Sequence, residues 1–162
     1  MKRLIFLIAL IGIFSTVSVA QNKKAEKEAA AKAQFDKAVA AIEAKDFVII
    51  VDTYEPAQTN TDVTSFLSYE KDFVFLQGIP ARNQYRNKLS VSDYNQETDK
   101  KGNVKIVMQV KGFYITAKIE IFLRRGGNYA DVTISGKVGS IQFSGEIVPT
   151  AESKYFKRPN EV

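Results

Sequence analysis

Between Val104 and Val148 apolar and polar residues alternate almost without a break, and the rest of the chain is best read outward from there. Val104, Ile106, Met108 and Val110 alternate with Lys105, Val107, Gln109 and Lys111. From Phe113 to Arg124, Phe113, Ile115, Ala117, Ile119, Ile121 and Leu123 take one parity, and Tyr114, Thr116, Lys118, Glu120, Phe122 and Arg124 the other. Ala130, Val132 and Ile134 then alternate with Asp131, Thr133 and Ser135, and Ile141, Phe143 and Ile147 with Gln142, Ser144 and Glu146. A period of two is that of a strand with one face buried.

The pattern predicts four antiparallel strands and a definite register. A two-residue turn at Lys111-Gly112 sets Val110 against Phe113, Met108 against Ile115 and Ile106 against Ala117. A turn at Gly126-Gly127 sets Leu123 against Ala130, Ile121 against Val132 and Ile119 against Ile134. A third at Lys137-Val138, or a longer loop using Gly136 and Gly139, sets Ile134 against Ile141 and Val132 against Phe143. All three keep the apolar sets on one face, whereas a one-residue slip exposes a whole set. Glycine in the first two turns is expected to supply positive φ. The first register places Lys105 opposite Lys118, a repulsion.

Upstream the pattern changes. Ala31, Phe35, Ala38, Val39 and Ile42 lie on a helical stripe, and a helix over Gln34–Ala44 is expected to cover the sheet. Phe47 to Tyr54 reads as a strand apolar on both faces, central or doubly covered. Pro56 to Asp62 is polar loop. Phe66–Tyr69 and Phe73–Gln77 form a hairpin about Lys71-Asp72, with apolar residues on either face. Gly78 to Leu89 shows no period and reads as loop, Val91–Glu97 as a strand, Thr98–Asn103 as a turn, and Pro149 to Val162 as a polar end lying along the surface. The fold class expected is α+β, mainly antiparallel β: an N-terminal helix followed by a meander of about seven to eight strands, open barrel or sandwich-like.

The first residues carry an address. Lys2 and Arg3 precede an apolar run from Leu4 to Phe14, and Ser18-Val19-Ala20 offers small residues for cleavage before Gln21. This is the pattern of a secretory signal peptide. The run is short for a spanning helix, which needs about 20 residues. The organisation expected is a signal peptide over 1–20, a solvated helical extension over 21–33, one β-rich domain over 34–157 and a tail over 158–162. The mature protein is expected in the periplasm or secreted, with no stable membrane anchor. Removing Lys2 and Arg3 takes two units from the formal net charge of +5, a balance that does not argue for nucleic acid.

Histidine and cysteine are both absent, which removes the commonest general base, thiolate nucleophiles and the usual zinc ligands. No glycine loop precedes a helix to hold phosphate. No catalytic residue, metal site or cofactor is therefore assigned. Asp131 and Glu146, with Glu120 nearby, share the outer face and read as exposed cross-strand pairs with Lys118 and Arg124. Tyr114, Phe122 and Tyr129 lie on the same face and are candidates for an aromatic binding platform. Arg82, Tyr85 and Arg86, in the aperiodic stretch, are candidates for partner contact.

Several short motifs in order resemble a known family. They are Asp46-Phe47-Val48, Ser65-Phe66-Leu67, Lys71-Asp72-Phe73-Val74, Thr98-Asp99-Lys100-Lys101-Gly102-Asn103-Val104, Phe143-Ser144-Gly145-Glu146-Ile147-Val148-Pro149, and Ser153 to Lys157. Together they resemble the small exported Bacteroidetes domain-of-unknown-function family 4251. Where that family has a glycine-rich stretch between the early and late hairpins, this chain has Arg82 to Lys88. The resemblance implies a mostly antiparallel β domain with an N-terminal helix, and no reaction, cofactor or substrate.

Three functions fit the pattern: a non-enzymatic envelope module binding a partner protein or small ligand, a carboxylate-based glycan hydrolase working at Asp131 and Glu146, and a structural component pairing through a sheet edge. The first accounts best for an export signal, a β scaffold and no catalytic constellation.

Overall fold

The computed structural model describes residues 2–55, 58–137 and 139–162, with side chains from residue 23 onward. The side chains of the expected signal peptide, Pro56-Ala57 at the start of the polar loop and Val138 of the third turn lie outside the described residues.

A long helix, α1 (Lys2–Glu43), leads into ten strands: β1 (Asp46–Ile50), β2 (Thr53–Tyr54), β3 (Gln58–Thr59), β4 (Phe66–Glu70), β5 (Phe73–Gly78), β6 (Asn83–Thr98), β7 (Val104–Lys111), β8 (Thr116–Leu123), β9 (Tyr129–Gly136) and β10 (Gly139–Pro149). Every pairing between them is antiparallel. The order is β1-β4-β5-β6-β7-β8-β9-β10, and β10 pairs again with β1, so eight strands close a barrel. The helix and mainly antiparallel β meander expected from the pattern are present, and closure resolves the open-barrel or sandwich-like alternatives. Closing the sheet also hides its edges, which leaves the two-residue β3 as the terminal strand.

Closure is made where the chain leaves β1. The stretch read as one strand, Phe47 to Tyr54, bends at Val51-Asp52 and continues as β2, and both halves lie along β10. Gly145 sits at the crossing. A methyl group there would collide with the Ile50 carbonyl oxygen, so only glycine allows β1 and β10 to meet.

The late meander follows its alternation. Val104, Ile106, Met108, Val110, Ala117, Ile119, Ile121, Leu123, Ala130, Val132, Ile134, Phe143 and Ile147 all point into the barrel and are buried. The second and third registers are those expected: Leu123 faces Ala130, Ile119 faces Ile134, Ile134 faces Ile141 and Val132 faces Phe143. The first register is corrected. Val110 pairs with Ala117, Met108 with Ile119 and Ile106 with Ile121. The turn is Gly112 to Ile115, closed by Gly112 N–H donating to the Ile115 carbonyl (2.7 Å), and not Lys111-Gly112. The shift is even, so the buried parity of β7 and β8 is kept, but Phe113, expected on the core face, falls in the turn and is exposed, Ile115 is only half-buried, and Lys105 meets Phe122 instead of Lys118. Gly126 has the expected positive φ of 105°, but Gly112 is absent from the positive-φ residues. Its requirement is space: a Cβ there would lie 2.5 Å from Leu89 Cδ2 and 2.7 Å from the Lys88 carbonyl oxygen.

The larger correction concerns Arg82 to Lys88. This is no loop. After a single 3-10 turn at Ile79–Ala81, β6 begins at Asn83 and runs for 16 residues, paired first with β5 and then with β7. Its inward positions hide the period. Asn87, fully buried, donates to the Leu76 carbonyl (3.3 Å), Asn83 Oδ1 (2.9 Å) and the Tyr85 carbonyl (3.1 Å), so a polar residue stands where alternation calls for an apolar one.

The early hairpin turns at Lys71-Asp72 as expected, with Glu70 opposite Phe73. It buries both faces. Leu67, Tyr69, Val74 and Leu76 enter the barrel core. Phe66 and Phe75 join Val48 in a second cluster outside the wall, against which Ile50, Val148 and Tyr155 pack. The C-terminal segment lies over that cluster. Gln77 donates to the Phe156 carbonyl (2.8 Å) and accepts from the Arg158 N–H (2.8 Å), and beyond the end of β7 the Arg86 N–H donates to the Asn160 carbonyl (3.0 Å) while the Val162 N–H donates to the Arg86 carbonyl (3.1 Å). Residues 158–162 are thus held to β6.

Candidate functional site

The two ends of the barrel are built differently. At one end α1 enters the core with Ala38, Ala41 and Ile42, all buried, and with Phe35 and Val39 packed beside them. Lys45, in the left-handed region (φ 52°), ends the helix, and its ammonium lies 4.8 Å from the centre of the Tyr94 ring and 5.8 Å from that of Tyr69. Burial, with the neighbouring Tyr69, pushes the Tyr94 phenol up to about 12.

Among the described residues no α-helix covers the other end. There the 3-10 turn Ile79–Ala81, the β7–β8 turn and the β9–β10 turn surround a concavity of about 420 Å³. Its floor is the rim of the core: Ala81, Ala117 and Ile134 are buried and Ile141 is half-buried. Phe113 and Tyr114 stand over it. Phe113 is 81% exposed, and the two rings meet edge to face at 4.7 Å. Tyr85 stacks on Tyr114 at 5.5 Å, which stiffens the rim. Arg82 and Lys137 contribute the charged side chains. Arg82 adopts φ 52° and donates through Nη2 to the Ser140 carbonyl (2.8 Å), fixing the guanidinium between this mouth and an adjoining cleft lined by Tyr54, Glu55 and Gln142.

The candidate residues therefore regroup. Arg82, Tyr85 and Arg86 do not form one contact surface. Arg82 and Tyr85 belong to the mouth, whereas Arg86 points outward, pairs with Glu161 and stacks on Phe75 at 4.4 Å. It anchors the C-terminal segment. Tyr114, Phe122 and Tyr129 do not form one platform either. Tyr114 sits in the β7–β8 turn, because that turn has four residues where two were expected. Phe122 and Tyr129 remain on the outer wall, with Arg124 5.6 Å over the Phe122 ring. The Tyr129 hydroxyl donates to Asp52 (2.9 Å). Burial, with Asp52 and Asp131 close by, raises its pKa against a hydrogen bond from Thr53 that lowers it.

Phe113, Ile115 and Lys137 escaped the sequence reading as site residues. The first two were absorbed into an apparently continuous alternation. Asp131 pairs with Arg124 and accepts from Ser144 (2.9 Å), and it lines a different cleft from Glu146. Glu120 is held below the usual carboxylate range, chiefly by its hydrogen bond from Lys118, with Lys105 adding to the effect. Among the described residues no group of three acidic side chains is placed to hold a metal ion.

Among curated proteins none matches the chain. Among solved structures it is similar to the crystal structure of a DUF4251 family protein from Bacteroides eggerthii DSM 20697, at 27% identity and a TM-score of 0.68, over 78% of this chain and 94% of that one. The family model described as domain of unknown function DUF4251 matches residues 29–147, which is most of the barrel and the part of α1 that enters it, and the chain belongs to that family.

Proposed function

We propose that this protein is a non-enzymatic binding module of the bacterial envelope, exported to the periplasm or beyond, and that it binds at the open end of its barrel. One observation carries the reading. A large aromatic side chain, Phe113, is held 81% exposed on a short turn, directly over a concavity with an apolar floor. Exposing such a ring has no folding benefit, and the mouths of barrels are frequent ligand sites. Export is supported by Lys2-Arg3, the apolar run after them and Ser18-Val19-Ala20. A Bacteroidetes setting is supported by the structural neighbour.

The test is to replace Phe113 with a photo-crosslinking amino acid in exporting cells, using Phe156 as the control, exposed on the C-terminal segment. A discrete adduct from position 113 and none from 156 is expected. Equal labelling at both positions would mean that the mouth is ordinary surface.

A further inference from the structure

We propose that the mouth takes a small amphiphile with one negative charge, a carboxylate on a short apolar chain; this rests on the reading of the mouth as the binding site and names what fills it. The charges point one way. Arg82 and Lys137 line the concavity, and among the described residues no carboxylate does. Glu55 lines the adjoining cleft, which Arg82 also lines, and not this concavity. A guanidinium fixed by the Ser140 carbonyl and an ammonium on the facing turn form a pair of donors for an anionic headgroup.

The walls select for the rest of the ligand. Below the cations the surface is apolar and made of small or branched side chains, Ala81, Ala117, Ile134 and Ile141. Beneath those the barrel is solid, since Leu76 and Leu89 are fully buried and Val110 is nearly so. The concavity is therefore a dish and not a channel, and it suits a short chain better than a long acyl tail. Tyr114, backed by Tyr85, gives one flat wall against which a methylene chain can lie. A membrane surface would also be met by an exposed phenylalanine and two cations, but it would leave the concavity unfilled.

The experiment is an amide-shift titration of 15N-labelled protein, purified from exporting cells, with decanoate below its micelle concentration. Decanol, decyltrimethylammonium and anionic phospholipid vesicles are run in parallel. Decanoate is expected to move the amides of Asn83, Ile115, Thr116 and Gly139 and to bind about tenfold more tightly than decanol, the size of one charge-assisted contact. Lys137→Gln, a change at an exposed turn, is expected to remove most of that difference and leave decanol unaffected. Arg82→Lys, which keeps the charge but not the fork, is expected to weaken decanoate less than Lys137→Gln. Equal affinity for decanoate and decanol, or indifference to Lys137→Gln, would overturn the headgroup assignment while leaving the mouth a binding site. Shifts with vesicles alone would make the rim a membrane contact and overturn the proposal. No shift at the mouth with any probe, together with no adduct at position 113, would remove both readings.

Discussion

The two ends of this barrel solve the same problem in opposite ways. A closed barrel of eight strands leaves the rim of its core exposed at each end. At the first end the chain supplies a helix, and three of its side chains, Ala38, Ala41 and Ile42, finish the core. At the second it supplies three short connections that stand around the rim without filling it. The capped end is also tied from outside: Thr150 bonds to Asp46, Lys37 pairs with Glu152, and Lys157 and Tyr155 hold Glu70 at 2.7 Å and 3.0 Å. The helix and the C-terminal segment thus close and tie the same end, while the other keeps an open concavity.

The sharpest way to break this contrast is Ile42→Asp. Ile42 is fully buried, and an aspartate there has no partner, so a loss of about 3–5 kcal/mol is expected, read as a melting temperature lower by more than about 10 °C. A small shift would mean that α1 rests on the barrel without closing it. Next comes Gly112→Ala, a change at the open end expected to hurt. The added methyl meets Leu89 Cδ2 and the Lys88 carbonyl, and about 1–3 kcal/mol is expected by chemical denaturation. A neutral result would show the β7–β8 turn free to lift away from β6.

A third effect is smaller and depends on pH. Burial raises the Glu70 pKa, but hydrogen bonds from Lys157, Ser68 and Tyr155 outweigh it and hold the group below its ordinary 4.5. A depressed folded-state pKa stabilises the protein above the unfolded value, and that stability is lost as pH falls through the folded one. Wild type should therefore shed this contribution only below pH 4.5, in the acid range. Glu70→Gln should be about 1 kcal/mol less stable at neutral pH and lack this step. Melting curves that stay parallel for the two proteins down to about pH 3 would mean the C-terminal segment is not held through Glu70.

What the sequence discloses follows the same division. The late meander is legible because its outer face meets water, so inside and outside differ at every step along β7, β8 and β9. The early half is not, because Phe66, Phe75 and Val48 are covered from outside by a C-terminal segment far away in sequence. β6 is obscured twice, by the buried Asn87 and by Arg86 under Glu161. The motifs that carry the family resemblance prove to be construction. Asp99 accepts from Lys101 and Asn103 to shape its turn, Gly145 permits closure, and Tyr155 and Lys157 anchor the end. They announce the fold and are silent on the mouth. The mouth was half legible: Arg82, Tyr85 and Tyr114 stood out as contact chemistry, but their neighbours could be found only once the β7–β8 turn had its true length.

The smallest expected effect on stability is the most informative about function. Phe113 is 81% exposed and touches Tyr114 by one edge, while Tyr114 keeps its stack on Tyr85 when Phe113 is removed. Phe113→Ser should therefore change stability by no more than about 0.5 kcal/mol, within the usual range for a surface position. It removes one wall of the concavity, however, so decanoate affinity should fall several-fold at unchanged melting temperature. Ile42→Asp is its mirror image, a large loss of stability from the end assigned no ligand. If Phe113→Ser instead lowers the melting temperature as a core change would, the exposed ring is packing against something in solution, and the open end is a second cap.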